Sequence, residues 1–304
     1  MNVLTIFLND LSNYSDNDLY KMALFLNVKN PDTYNRHLLK LKIATIQFNN
    51  YFNSNLDIKI PKRGLVTISN ECLNGFEIQK LLGTGTYGTV HSALNYKLDP
   101  NKKYAVKFQN LYVDKNKFTN PTDYNKQKEF LINEFQNEVN IWKKLNEYNI
   151  GPKIYDVRIC TDIEIGLIAS ELWSSSLKSN ELCNLDPLLI KKLRNQINKM
   201  HEYYYIHYDI KPDNILVKKD KNGNIIDLTL SDFGLTAQKE NKLIEPEIFY
   251  QYHSYYSPNF YRQVTLEDVK KNPYLFDFGL LYEIQLCNPK VKQISKYPIN
   301  LTKK

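Results

Sequence analysis

One stretch of this 304-residue chain limits its fold more than any other: Tyr205-Ile206-His207-Tyr208-Asp209-Ile210-Lys211-Pro212-Asp213-Asn214-Ile215-Leu216-Val217. Residues 187–204 before it carry helical spacing, and an apolar strand begins at Ile215. Its polar centre must therefore be a loop joining a helix to a strand. Asp209 in that loop can orient a hydroxyl and take its proton. Lys211 can neutralise a transferring phosphoryl group, and the side-chain oxygen of Asn214, five residues after Asp209, can hold a divalent metal.

Three further motifs flank it in order. Leu82-Gly83-Thr84-Gly85-Thr86-Tyr87-Gly88-Thr89-Val90 lies between an alternating segment, Phe76–Leu82, and a second expected strand, Thr89–Leu94. Glycines here let a hairpin backbone approach phosphate oxygens with its amides forward. Alone, the pattern equally fits a plain glycine-rich hairpin. It is not a dinucleotide fingerprint, because a strand rather than a helix follows. Ala105-Val106-Lys107 then sets a cation in the strand Tyr104–Phe108, where it needs a carboxylate or a phosphate unless it is a surface lysine at a strand end. Glu138 can supply the carboxylate, with Glu134 one turn earlier as its rival. Both lie on an amphipathic helix expected over 126–147, whose stripe is Leu131, Ile132, Phe135, Val139, Trp142 and Leu145. Last, Leu230-Ser231-Asp232-Phe233-Gly234-Leu235 offers Asp232 as a chelator of phosphate-bound magnesium and Gly234 as a turn residue. A second copy, Asp277-Phe278-Gly279, sits in the apolar run Leu275–Leu286 and reads as part of a core helix.

These four motifs, in this order and spacing, resemble the eukaryotic-type protein kinase family over roughly residues 75–285. The resemblance implies an α+β bilobal fold: a small β-rich N-lobe with one key helix and a mainly helical C-lobe. It implies ATP and Mg2+, with Mn2+ as an alternative, and a protein substrate bearing Ser or Thr. Asp209 would be the catalytic base, Lys107 would meet the phosphates and pair with Glu138, and Lys211 would assist transfer. Asn214 and Asp232 would hold metal. Leu82, Gly83, Thr84, Gly85, Thr86, Tyr87, Gly88, Val90, Ala105 and Lys107 would line the nucleotide. Ser170-Glu171-Leu172-Trp173 falls where the family has its hinge, so Glu171 and Trp173 would lie by the adenine. The Asp-Ile-Lys-Pro-Asp-Asn wording looks like the serine/threonine branch. The alternatives are a nucleotide-binding pseudokinase acting as a scaffold, and a kinase of small molecules or nucleic-acid ends.

Three departures stand out. Tyr208 replaces the Arg that in many kinases grips a phosphorylated activation loop, so activity should not require loop phosphorylation. Ser257-Pro258-Asn259 is the nearest match to the family's Ala-Pro-Glu, and Asn cannot make the buried Glu–Arg pair. The chain runs only about 70 residues beyond Gly234, so the C-lobe reads as trimmed. Thr236, Tyr250, Tyr252, Ser254, Tyr255, Tyr256 and Ser257 in the activation segment are candidate phosphorylation sites. The tyrosine cluster Tyr250–Tyr256 reads first as packing.

The expected organisation is a helical N-terminal extension over 1–70 and a kinase domain over 71–304, divided near residue 172. Helices are expected over Ser15–Leu26 and Asp32–Phe48, with Leu19, Met22, Ala23 and Leu26 on one face of the first and Leu38, Leu39, Ile43 and Ile46 on the second. They suggest either a brace against the kinase lobes or a small nucleic-acid module. Residues 109–125 read as a surface loop. The net charge of +7 is spread along the chain and basic residues are few at the N-terminus, so nucleic acid is not an expected partner. No apolar run reaches the roughly 18 residues of a membrane span. The start has no basic n-region, so no signal peptide is expected. Cys72, Cys160, Cys183 and Cys287 are widely spaced with no C-x-x-C pair, so neither a metal site nor a disulfide framework is expected and a reducing, cytoplasmic setting is. Only five of forty basic residues are Arg, and Tyr numbers 23. That is the bias of an AT-rich genome and resembles kinases of large DNA viruses, for which host cytoplasm or virion would be the setting.

Overall fold

In the computed structural model, which describes residues 11–53, 56–95, 97–239 and 246–292, helix α1 (Asp16–Phe25) begins where expected. The Ser15 hydroxyl accepts from the Asp18 amide at 3.2 Å and satisfies one of the first-turn donors. Helix α2 (Arg36–Asn53) begins later than expected. Pro31–Thr33 forms a separate short turn, and Asn35 rather than Asp32 caps the helix, its side chain accepting from Leu38 N at 2.9 Å. Leu19, Met22, Ala23, Leu39 and Ile43 share one small core, with Leu26 half-buried against it. Leu38 points outward, and Ile46 lies outside the described side chains. The Lys21 ammonium of α1 donates to Asn101 at 3.0 Å, tying the helix pair to the sheet described next.

Residues 56–68, left by the sequence to the turn-rich end of the extension, form a hairpin of β1 (Leu56–Ile60) and β2 (Gly64–Ile68). Ile58, Ile60, Val66 and Ile68 point into the core while Asp57, Lys59 and Thr67 face out, as period-two alternation requires. After a short helix α3 (Asn70–Leu73) come β3 (Glu77–Thr84), β4 (Gly88–Asn95) and β5 (Asp99–Asn110), then α4 (Pro121–Asn146), β6 (Ile154–Cys160) and β7 (Ile165–Glu171). The five strands form one sheet in the order β3-β4-β5-β7-β6. The hairpin packs on it, with Val66 and Ile68 joining Tyr104, Val106, Phe108 and Leu167 in one core. The sequence did not signal β6, whose Asp156 and Arg158 pair with each other at 3.0 Å along a polar strand. The expected loop over 109–125 is shorter: Leu111 and Val113 are buried and α4 begins at Pro121. At its other end the Asn146 side chain bonds the backbone of Ile150, Pro152 and Ile154 and fixes the helix exit.

The rest of the chain is mostly helical. Asp186 caps α5 (Pro187–Glu202), accepting from Leu188 N at 2.8 Å. Short strands β8 (Ser175–Ser176), β9 (Tyr205–Ile206), β10 (Ile215–Lys219), β11 (Ile225–Leu230) and β12 (Ala237–Gln238) form two small sheets, β11-β10-β8 and β12-β9. Helices α6 (Pro246–Tyr256), α7 (Pro258–Tyr261), α8 (Leu266–Lys271), α9 (Gly279–Cys287) and α10 (Pro289–Lys292) follow. The described residues divide into two compact units. One holds residues up to Leu131 with Tyr155–Leu172, and the other Ile132–Ile154 with the chain from Trp173 onward. The α+β class expected from the sequence is the class found. Among the described residues no helix is long and apolar enough to cross a membrane.

The cysteines correct the sequence reading. Cys72 pairs with Cys160 in the first unit and Cys183 with Cys287 in the second, with Cα atoms 5.7 and 5.2 Å apart. Separations of 88 and 104 residues hid both pairs from an argument based on spacing.

Candidate active site

In the β-rich unit, β3 and β4 lead into and out of the glycine-rich loop. Gly83 pairs with Val90 and Thr84 with Thr89, and Gly85 N donates to Gly88 O at 2.9 Å to close the turn. Thr86 and Tyr87 form its exposed tip, and Leu82, just before it, is about half exposed at 47%. Each glycine has its own reason. A Cβ on Gly88 would lie 2.1 Å from the Phe108 carbonyl oxygen, so close strand approach demands glycine there. A Cβ on Gly83 would meet nothing within 4 Å, and one on Gly85 only the Gly88 oxygen at 4.0 Å, so internal packing demands neither. Open space above both leaves the backbone reachable by a ligand.

Lys107 stands mid-strand on β5, opposite Val90 of β4 and Ile168 of β7. Ala105, two residues earlier, shares its face and sits opposite Ser92 and Ser170. Glu171 ends β7, opposite Tyr104.

In the helical unit, Asp209 is buried at the centre of a hydrogen-bonded loop. Its Oδ2 accepts from Lys211 Nζ at 2.8 Å and from Asn214 Nδ2 at 2.7 Å, and Asn214 Nδ2 also donates to the Asp209 carbonyl at 2.9 Å. The second carboxylate oxygen, Oδ1, is buried without a hydrogen-bond partner. Burial alone would lower the Lys211 pKa, but its bonds to Asp209 and to the Tyr252 hydroxyl, each 2.8 Å, outweigh that and hold it well above the usual lysine value. Lys211 is therefore a fixed cation.

Asp232 adopts a left-handed backbone, φ 61°, at the start of the turn containing Gly234. Glu138 is buried, and its Oε2 lies 3.5 Å from where a Gly234 Cβ would stand, next to an Asp232 oxygen at 3.7 Å. Glu134 is exposed as a residue, but partial desolvation of its carboxyl, followed by the charge of Glu138, raises its pKa. Of the two rival carboxylates, Glu138 is thus the one beside the Asp232 turn. Trp173 is half-buried, with Lys218 Nζ 4.4 Å from its ring centroid. Among the described residues no group of three or more His, Cys, Asp or Glu forms a metal cage.

Several supports escaped the sequence reading. Asp277, expected as part of a core helix, is fully buried and braces the loop that leads into Asp209. Its Oδ2 accepts from His207 N at 2.8 Å and His201 Nε2 at 2.9 Å, and its Oδ1 from Tyr208 N at 2.9 Å. Burial would raise its pKa, but these donors and the nearby histidines hold the carboxyl below the ordinary aspartate value. The signal was an acid set between two phenylalanines, Phe276 and Phe278, in an apolar run. Tyr208 is buried in a left-handed backbone and packs against Phe249 of α6 and Phe276, with centroids 5.9 and 5.6 Å away. Burial first, and Asp277 next, push its hydroxyl up to about 12. His253 of α6 donates to the Tyr208 carbonyl at 2.6 Å. Aromatic packing therefore docks the activation segment where the family often uses an arginine–phosphate contact. Residues 240–245 of that segment lie outside the described residues. Asn259 also has a substitute partner: its N and Nδ2 donate to the two oxygens of Glu283, each at 2.7 Å. A carboxylate on α9 thus does from the other side what a Glu–Arg pair would do.

Comparison with known proteins identifies the family. The family model described as "Protein kinase domain" matches residues 76–267. A Drosophila melanogaster protein named serine/threonine-protein kinase CG17528 is 29% identical over 174 residues, 56% of this chain and 21% of that protein. The human serine/threonine-protein kinase DCLK2 is 26% identical over 179 residues, 58% of this chain and 21% of its own length. The chain therefore spans about a fifth of the curated relatives it matches.

Proposed function

The chain belongs to the protein kinase domain family, and from that premise we propose that it is a serine/threonine protein kinase moving the ATP γ-phosphate to a protein hydroxyl. The observation that carries this reading is the Asp209 carboxylate. One oxygen is held by Lys211 and Asn214, and the other is buried with no partner. A buried acceptor left empty costs about 1–3 kcal/mol, so it is a seat for an incoming O–H. A Ser or Thr hydroxyl placed there gives up its proton to Asp209 as its oxygen bonds the γ-phosphorus and the bond from that phosphorus to the bridging oxygen breaks, releasing ADP, while Lys211 offsets the charge on the transferring group.

The donor set suits a hard cation. Asn214 commits its nitrogen to Asp209, which leaves its oxygen for metal, and Asp232 presents an exposed carboxylate. Two protein oxygens with phosphate and water completing the shell is how magnesium binds, and manganese fits the same set. When bound, the metal neutralises phosphate charge. The open faces of Gly83 and Gly85 suit a triphosphate, Lys107 is the proposed phosphate contact with Glu138 as its carboxylate, and Glu171 and Trp173 are proposed to meet the base. The serine/threonine choice rests on Lys211 two residues after Asp209 and on the relatives' names. The Arg-poor, Tyr-rich composition supports an origin in an AT-rich genome such as that of a large DNA virus.

The test is transfer of labelled γ-phosphate to a generic basic protein and to the chain itself, with magnesium or manganese. Wild type is run beside Lys107→Met and Asp209→Asn. Label on Ser or Thr, absent from both variants, is the expected result. ATP binding with no transfer would make the protein a nucleotide-binding scaffold instead.

A further inference from the structure

The β1–β2 hairpin takes no part in the phosphoryl-transfer reading, yet its turn reaches the glycine-rich loop of the same unit. The turn reads Pro61-Lys62-Arg63-Gly64, with φ 62° at Lys62 and 92° at Gly64. Glycine suits the second position. Lysine at the first holds a side chain in a backbone state that L residues resist. Arg63 anchors the turn: its guanidinium donates to the Ile163 carbonyl and lies 4.7 Å from the Tyr112 ring centroid. So held, Lys62 places its ammonium 4.5 Å from the Tyr87 ring centroid.

Tyr87 is the one aromatic residue of the loop and 60% exposed. The loop backbone is closed by Gly85 N to Gly88 O and tied to β5 by Asn110 N to Tyr87 O at 2.8 Å, while the exposed Tyr87 ring takes its place from side-chain contacts and can bias how the loop rests. A cation over an aromatic face is an attraction with a preferred geometry. We propose that Lys62 is a positioning residue for the glycine-rich loop: by holding the Tyr87 ring it sets where the loop rests and how tightly nucleotide is bound. This rests on the ATP-binding reading above.

The test uses the full chain with Lys62→Ala, Lys62→Arg, Tyr87→Leu and the double variant Lys62→Ala/Tyr87→Leu. ATP affinity is read by calorimetry and turnover by phosphate transfer. Lys62→Ala and Tyr87→Leu should each weaken ATP binding by about two- to five-fold. The double variant should lose no more than the larger single loss, and Lys62→Arg should restore wild-type affinity. In the Lys62 variants the KM for ATP should move while kcat stays within about two-fold. A lysine serving only the fold would lower the melting temperature without that split. Unchanged affinity in Lys62→Ala, or additive losses in the double variant, would overturn the inference and leave the kinase reading intact. A wild type that binds no ATP would overturn both.

Discussion

Replacing Asp277 by Asn changes one buried atom and should damage the catalytic loop from behind. The carboxylate accepts three hydrogen bonds, two at Oδ2 and one at Oδ1. An asparagine can keep its oxygen toward His201 and His207 N, but its NH2 group then faces the Tyr208 N–H, donor against donor. Orphaning that buried amide costs about 1–3 kcal/mol, and weakening two charge-assisted bonds to neutral ones costs about 0.5–1.5 kcal/mol each. The expected total is about 2–6 kcal/mol, a large part of a typical stability of about 5–15 kcal/mol. It should appear in urea melts as a shifted midpoint with an unchanged slope. Because His207 and Tyr208 lead directly into Asp209, phosphate transfer should fall at least about ten-fold while ATP affinity changes little. The exposed Glu202→Gln, which breaks only a surface pair with Lys199, is the control and should leave the midpoint in place. An Asp277→Asn protein within about 0.5 kcal/mol of wild type, with normal transfer, would refute the bracing role.

Four shorter predictions accompany it. Tyr208→Ala empties a buried aromatic site against Phe249 and Phe276 and should cost about 3–5 kcal/mol with loss of transfer, whereas phosphatase treatment of wild type should leave transfer unchanged; activity lost to phosphatase would reverse the argument. Gly88→Ala drives a methyl into the Phe108 carbonyl and should destabilise by about 2 kcal/mol or more, while Gly83→Ala should leave the melting temperature unmoved and weaken ATP binding, as comparing the two melts and titrations would show. Reduction should raise the intact mass by four hydrogens and remove about 2–4 kcal/mol per cross-link, given closed loops of 88 and 104 residues; identical melts with and without reductant would mean the thiols are free. Burial disfavours the His253 imidazolium and lowers its pKa from 6.5, so below that value the unfolded chain binds more protons than the folded one. Stability should therefore fall as pH drops from about 7.5 toward 5.5, and His253→Gln should flatten that slope in pH-dependent urea melts.

Much of the site was readable because its parts act over short distances along the chain. Asp209, Lys211 and Asn214 lie within six residues and bond one another directly, so their offsets already encode the geometry. Caps behave alike: Ser15 and Asp186 meet amides two or three residues away. Reading failed where a local signal had two interpretations. Asp32 and Asn35 both suit a helix start, and only the packing of Leu39 and Ile43 on Leu19 and Met22 selects the later one. The β1–β2 hairpin escaped notice because two five-residue strands with Asp57, Lys59 and Thr67 facing out, joined by a Pro-Lys-Arg-Gly turn, resemble loop sequence until a core receives their isoleucines.

By itself, then, the sequence determined the family and the four motifs, since each depends on residue types at fixed short offsets. Tertiary structure alone decided which distant residues serve them. It buried Glu138 beside the Asp232 turn and left Glu134 exposed, and turned Asp277 from a core-helix residue into the brace of a loop some 70 residues away. It seated Phe249 on Tyr208, gave Asn259 the carboxylate of Glu283, and brought four scattered cysteines together in pairs. Periodicity and capping carry information over a few residues because helix and strand geometry repeat at that scale. A contact across 70 or 100 residues exists only once the elements between have packed, and packing is a property of the whole core rather than of any window of sequence.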